Sequence, residues 1–187
     1  IVYRSGTEGY ASFRIPAILK TPSGDLLAFC EGRVGHAGDF GNIDIVFKRS
    51  TDQGKTWSVL QVLINADSLQ AGNPAPVVDH TDPRYPNGRI FLFYNTGNNH
   101  EEEVRKGNGK RDVWYITSAD QGQNWSSPVN ITNQVHQPAP PHNWRSYANT
   151  PGHALQFEKG RYRGRIYVAA NHSSGEPRER FQDYQAH

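Results

Sequence analysis

Ser50-Thr51-Asp52-Gln53-Gly54-Lys55-Thr56-Trp57 returns 68 residues later as Ser118-Ala119-Asp120-Gln121-Gly122-Gln123-Asn124-Trp125, with Ser, Asp, Gln, Gly and Trp in register. A match at a fixed offset marks a repeat architecture. Each copy follows a β-rich run, Ile43 to Phe47 or Val113 to Thr117, and the apolar pattern resumes at its Trp. That arrangement reads as a hairpin turn between strands. Asp52 and Asp120 are placed to accept hydrogen bonds from the turn's own N–H groups, Gly54 and Gly122 to adopt a positive φ, and Trp57 and Trp125 to pack beneath the loop. With Ser50 and Ser118, these residues are expected to fold the turn and to carry no chemistry.

Around the two turns another unit recurs: an apolar strand, a Gly-containing polar turn and a second apolar strand. The first copy is Arg14 to Leu19, Pro22-Ser23-Gly24-Asp25 and Leu26 to Cys30. The second is Pro76 to Val78, Pro86-Asn87-Gly88 and Ile90 to Tyr94, and the third Ala154 to Phe157, Lys159 to Gly164 and Ile166 to Ala170. Gly24 precedes Ser50 by 26 residues and Gly88 precedes Ser118 by 30, so a third turn is due at about residue 186 to 194. The chain is therefore expected to stop inside its third repeat, with Tyr184-Gln185-Ala186 opening a strand. Repeats at about 14-70, 71-140 and 141-187 suit the four-stranded blades of a β-propeller. The expected class is all-β, with the first two blades and part of a third. A β-sandwich accounts for the strand density but not for the repeated turn.

Composition excludes other classes. Twenty Lys and Arg against eighteen Asp and Glu give +2, too nearly neutral for a nucleic-acid partner. Mean hydropathy is −0.75, and the longest apolar strings run about five residues against the roughly 20 of a membrane span. Four Trp, nine Tyr and eight Phe can build a core, while 18 Gly and 12 Pro supply turns. The single Cys30 cannot form an intrachain disulfide and reads as a buried, inert thiol. Eight His show no metal-ligand spacing, so no metal is expected. The chain holds no Met and starts on Ile1-Val2-Tyr3, which reads as a trimmed or processed end. Asn124-Trp125-Ser126, Asn130-Ile131-Thr132 and Asn171-His172-Ser173 fit the glycosylation acceptor pattern, which matters only in a eukaryotic secretory route.

Phe13-Arg14-Ile15-Pro16, Glu31-Gly32-Arg33 and Gly38-Asp39-Phe40-Gly41, in that order and joined to two Ser-x-Asp-x-Gly-x-(Thr/Asn)-Trp turns, resemble the sialidase (neuraminidase) family, whose Asp-box is that turn. The resemblance covers the whole chain and the front half of the family's catalytic domain. It implies a six-bladed propeller that hydrolyses terminal sialic acids from glycoconjugates with retention. Such an exo-α-sialidase takes a sialylated glycan as substrate, needs no cofactor, and is expected in a secreted, periplasmic or lysosomal setting.

By that resemblance Arg14 is the first arginine of the family's triad. A guanidinium fork suits the carboxylate on sialic acid's anomeric carbon; the plain alternative is a strand arginine paired with Asp44 or Glu31. Arg33 stands where the family lines its pocket near the sugar's 4-hydroxyl. Asp39 stands where the family keeps its general acid/base, its alternative being an Asx-turn in a glycine loop. Asn73, in Gly72-Asn73-Pro74, resembles a second residue near the 4-hydroxyl, or else starts a turn. Tyr147 to Gly152 resembles a segment near the N-acetyl pocket, or else is a Pro-Gly loop.

The family's nucleophile is a Tyr, because a phenol meets the anionic sugar without the repulsion a carboxylate would suffer. That Tyr, its Glu and two further arginines are expected outside this chain, so the chain alone is expected to be inactive and to associate with its missing half. One departure stands out. Where some bacterial members carry a Trp-rich stretch, this chain has Asn95-Thr96-Gly97-Asn98-Asn99 and then Glu101-Glu102-Glu103, read here as a solvated loop. Arg161 to Arg165 reads as the exposed side of a hairpin. The alternative function is a non-catalytic Asp-box propeller acting as a glycan- or protein-binding module. Arg14, Arg33 and Asp39 together argue against it.

Overall fold

The structure, a computed structural model, describes residues 1–174 and 184–186. Two four-stranded antiparallel meanders follow one another along the chain. The first is β1 (Ser12–Lys20), β2 (Leu26–Arg33), β3 (Ile43–Ser50) and β4 (Gln61–Ile64). The second is β5 (Gln70–Asp79), β6 (Arg89–Gly97), β7 (Arg111–Ser118) and β8 (Val129–Asn130). They meet through one parallel pair, Ile43 with Gln70. Two short helices, α1 (Glu101–Arg105) and α2 (Thr132–Val135), flank β7.

A third sheet joins β9 (Trp144–Asn149), β12 (Ala170–Ser174) and β13 (Tyr184–Ala186), while β10 (Leu155–Gln156) pairs with β11 (Ile166–Tyr167). The third strand–turn–strand unit is thus shorter than its sequence suggests, with only two paired residues per strand. Polar and glycine-rich 158–164 offers no side-chain ladder to extend it. Arg161 and Arg165 lie over the Tyr162 ring on the outside of that hairpin. Tyr184–Ala186 does form a strand; the expected third Asp-box falls outside the described residues.

The core lies between the two meanders. Leu27, Phe29, Ile45 and Phe47 from the first pack against Ala71, Ile90, Leu92, Tyr94 and Ile116 from the second. Each large side chain so buried contributes about 1.5–3 kcal/mol. Successive strand residues face opposite sides, so Cys30 and Val46 point away from this core and pack with Tyr3 and Tyr10 of the N-terminal segment and with Phe13 of β1. Burial on both faces explains why β2 and β3 are almost continuously buried.

Both repeated turns are built alike. Ser50 Oγ donates to Asp52 Oδ1 at 2.7 Å and accepts from the Gly54 N–H at 2.8 Å; Ser118 does the same with Asp120 (2.8 Å) and Gly122 (2.9 Å). Asp52 takes the Thr56 N–H and Asp120 the Asn124 N–H. Gly54 and Gly122 have positive φ, and so do Gln53 and Gln121, which the sequence pattern leaves unremarked. Trp125 stands edge-on to Phe29 and Phe47.

One irregularity recurs. β1 bulges between Arg14 and Ala17 and β5 between Gly72 and Ala75. Both bulges carry x-Pro-Ala, with Ile15 and Asn73 each at φ 56°. A β-branched residue in that region is strained, and a bulge is where a strand tolerates proline. β5 therefore runs through Gly72-Asn73-Pro74, where the sequence suggests that the strand begins only at Pro76.

Candidate active site

The two bulges lie on one cleft of about 310 Å3, lined among others by Ile15, Glu31, Arg33, Asp39, Asn73 and Glu101. Residues 34–42 form the β2–β3 loop, closed at its neck by the Val34 N–H on the Asn42 carbonyl at 3.1 Å. Inside it the Gly38 N–H donates to His36 Nδ1 at 2.9 Å. A side chain at Gly38 would collide with that imidazole.

Asp39 rides on this loop with its side chain 79% exposed, yet Oδ1 is held by two guanidinium groups. Arg14 Nη1 donates to it at 2.7 Å and Arg33 Nη1 at 2.8 Å. The Arg33 hydrogen bond does most to hold this carboxyl below the usual aspartate range; partial burial opposes, and the charges of Arg33 and Arg14 add to the lowering. Arg14 thus pairs with Asp39, not with the Asp44 or Glu31 considered from sequence.

The two arginines differ in commitment. Arg33 is buried, and its Nη1 also donates to the carbonyls of Ala37 (2.6 Å) and Gly38 (2.8 Å). Its Nη2 and Nε donate to Glu31 Oε2 at 2.6 and 3.2 Å. Burial disfavours the Arg33 charge, but the hydrogen bonds it donates to Glu31 and Asp39, with the charges of those carboxylates, outweigh that and raise its pKa. Arg14 has a half-exposed side chain and, among the described residues, its guanidinium donates to Asp39 and, at 3.4 Å, to the Ala37 carbonyl.

Asn73 lines the same cleft, but its side-chain amide is largely engaged. Nδ2 donates to the Asn149 carbonyl at 2.9 Å and, at 3.4 Å, to Asn95 Oδ1, while Asn149 Nδ2 returns a bond to the Asn73 carbonyl. This reciprocal pair ties β5 to β9. Ala148 brings the Tyr147 to Gly152 segment to the cleft wall.

Three contributors receive no role from the motifs. Glu31 appears in the Glu31-Gly32-Arg33 signature, and Glu-x-Arg on a strand places both side chains on one face; that spacing is the signal. Glu101 corrects the reading of three glutamates as a solvated loop. They open α1, which Val104 anchors in the interior, and Glu101 turns inward to pair with Arg111 at 2.7 Å and accept from Ser146 Oγ at 2.7 Å. Glu102 and Glu103 do face outward, on Lys106. Arg111 carries no sequence signal at all.

Residues 24–186 match the BNR repeat-like domain family. The chain is 31% identical over 171 residues to an exo-alpha-sialidase of Aspergillus fumigatus, covering 81% of this chain and 40% of that protein. It is 33% identical over 172 residues to a sialidase of Micromonospora viridifaciens, covering 87% of this chain and 25% of that protein. It therefore spans well under half the length of either relative. Among solved structures, a Hadza microbial sialidase superposes on 98% of this chain with a TM-score of 0.77 at 23% identity, covering 39% of that protein. That likeness shows the fold: the two meanders are consecutive blades of a sialidase-type β-propeller, and the described strands do not close a ring. Among the described residues no helix is long and apolar enough to cross a membrane. Repeated Asp-box turns, propeller blades and family match agree, and the chain belongs to the sialidase family.

Proposed function

We propose that this chain supplies one wall of the active site of an exo-α-sialidase, a glycoside hydrolase that removes terminal sialic acids from glycoconjugates with retention. The observation that carries this reading is the exposed Asp39 carboxylate held on Arg14 and Arg33 at the mouth of a cleft. Asp39 occupies Arg14 as an anionic sugar's own carboxylate would. When that sugar arrives, its carboxylate takes over Arg14, and Asp39 loses one of the two cations that keep it ionised. Its pKa rises, and the protonated carboxyl gives its proton to the departing glycosidic oxygen, then takes one from the attacking water. Arg33, fully engaged, stays with the loop and shapes the pocket. Asn73 retains its Oδ1 to accept from a sugar hydroxyl. No described side chain lining the cleft is a tyrosine, so the nucleophile comes from elsewhere in the propeller. Blades at about 14-70, 71-140 and 141-187 leave half-exposed Ile18 on β1 to pack against the remaining blades. The likeness to proteins named sialidases supports the same substrate class.

The test is a protein carrying these residues at the length of those relatives, assayed on aryl and alkyl sialosides. Asp39→Ala is expected to lower kcat roughly 10²- to 10⁴-fold, most for the poorer alkyl leaving group. Equal rates for variant and parent would remove Asp39 from the mechanism. A parent that binds sialosides and cleaves none would make the domain a binding module.

A further inference from the structure

We propose that Glu31 is the positioning residue of this site: one buried carboxylate that sets both the Asp39 loop and the Asn73 bulge without touching substrate. The inference rests on the sialidase reading and deepens it. Glu31 is 1% exposed, and each of its oxygens has its own task. Oε2 accepts from Arg33 Nη2 and Nε, and Oε1 accepts from the Asn73 N–H at 2.9 Å. One side chain on β2 of the first blade therefore closes onto β5 of the second.

The arrangement can be followed outward. Arg33 is fixed at its Nε edge by Glu31 and uses its other end to grip the Ala37 and Gly38 carbonyls and Asp39. Those grips define where the acid loop sits. On the other side, the bulge at Asn73 turns its N–H toward Glu31 and its side chain toward Asn149. Gly72 belongs to the same device: a Cβ there would lie 2.4 Å from Glu31 Oε1. Only a carboxylate fits between these partners. An amide has one accepting oxygen, so glutamine in either orientation sets an NH2 group against an N–H donor. It also removes the buried counter-ion of Arg33 and leaves that charge to the exposed Asp39 alone.

Two variants approach the same oxygen by different routes. Glu31→Gln removes the charge; Gly72→Ala leaves every charge in place and pushes on Oε1. An acid held off its line costs most where the leaving group needs a proton. Both variants, in a protein at the length of the curated relatives, are therefore expected to lose at least tenfold more kcat on an alkyl sialoside than on an aryl sialoside with an acidic phenol. Glu31→Asp, which restores the charge, should recover part of the Glu31→Gln loss. Crystal structures of the two variants should show the 2.8 Å Arg33–Asp39 contact broken. Equal losses on both substrates, even with a lowered Tm, would reduce Glu31 to a structural residue. An intact Arg33–Asp39 contact in both variants would overturn the proposal too. A parent inactive on both substrates would refute the hydrolase reading, and the crystallographic contact would still decide the role of Glu31.

Discussion

Asp39 is held as an anion by Arg14 and Arg33, and the proposed mechanism needs it to give up the first of them. Its folded pKa is lowered, so its ion pairs contribute stability above the ordinary aspartate range and lose it as pH falls through the lowered value. Arg14 is the more exposed of the two cations, and Arg14→Gln is expected to raise the Asp39 midpoint part of the way back, Arg33 remaining in place. Titration of the Asp39 carboxyl 13C resonance measures this, and an unmoved midpoint would mean that Arg14 exerts no hold. Cys30 behaves as its apolar surroundings suggest: burial, then the nearby Glu31 charge, push its thiol up to about 12. Sequence brought Arg14, Arg33 and Asp39 to attention because each sits in a short signature, and the structure places both arginines on Asp39. Glu101 and Arg111 stayed hidden because their partners, Ser146 and each other, are distant in sequence or set among unremarkable charges.

The repeated turn shows how a short motif fixes an element. Its serine both donates to the aspartate and receives the glycine N–H, and Ser118 is almost wholly buried. Ser118→Ala strands that N–H, with an expected loss of about 1–3 kcal/mol in urea unfolding; a change below a few tenths would show that water replaces the hydroxyl. Gly122 tolerates no side chain, having φ 81° and Leu27 Cδ1 at 2.8 Å from any Cβ. These turns were legible because their chemistry is local. α1 was not, since Val104 is its one buried apolar anchor and five residues give no period. Nor was the continuity of β5: Gly72-Asn73-Pro74 reads as a break, and only the three-dimensional demand of Glu31 for the Asn73 N–H explains why the strand passes through it.

The blades themselves form a chain of neighbours. Gly72 lies under Glu31, Asn73 and Asn149 exchange bonds, and Gln156 accepts from the His80 N–H while donating to Asp79. Each contact crosses from one blade to the next. The candidate site is built at those crossings, so its cleft is lined from more than one blade. The 187-residue chain by itself is accordingly expected to release no fluorophore from a fluorogenic sialoside; turnover by the purified chain would show that a nucleophile lies within it. Blade architecture was legible from the repeated turn. How the blades bind one another was not, because most of the side chains that do so are ordinary amides.

Gln121 is one of them. From its positive-φ place in the second Asp-box it accepts from the Ser23 N–H at 3.3 Å and donates to the Asn87 carbonyl at 2.8 Å, joining the hairpins of both blades. Gln53 holds the same place in the first Asp-box and faces solvent. The rivet thus travels with both described copies of the motif, ready whether or not a plate lies beside it. Where a neighbour does lie beside it, the seam comes from a side chain that the turn already carries.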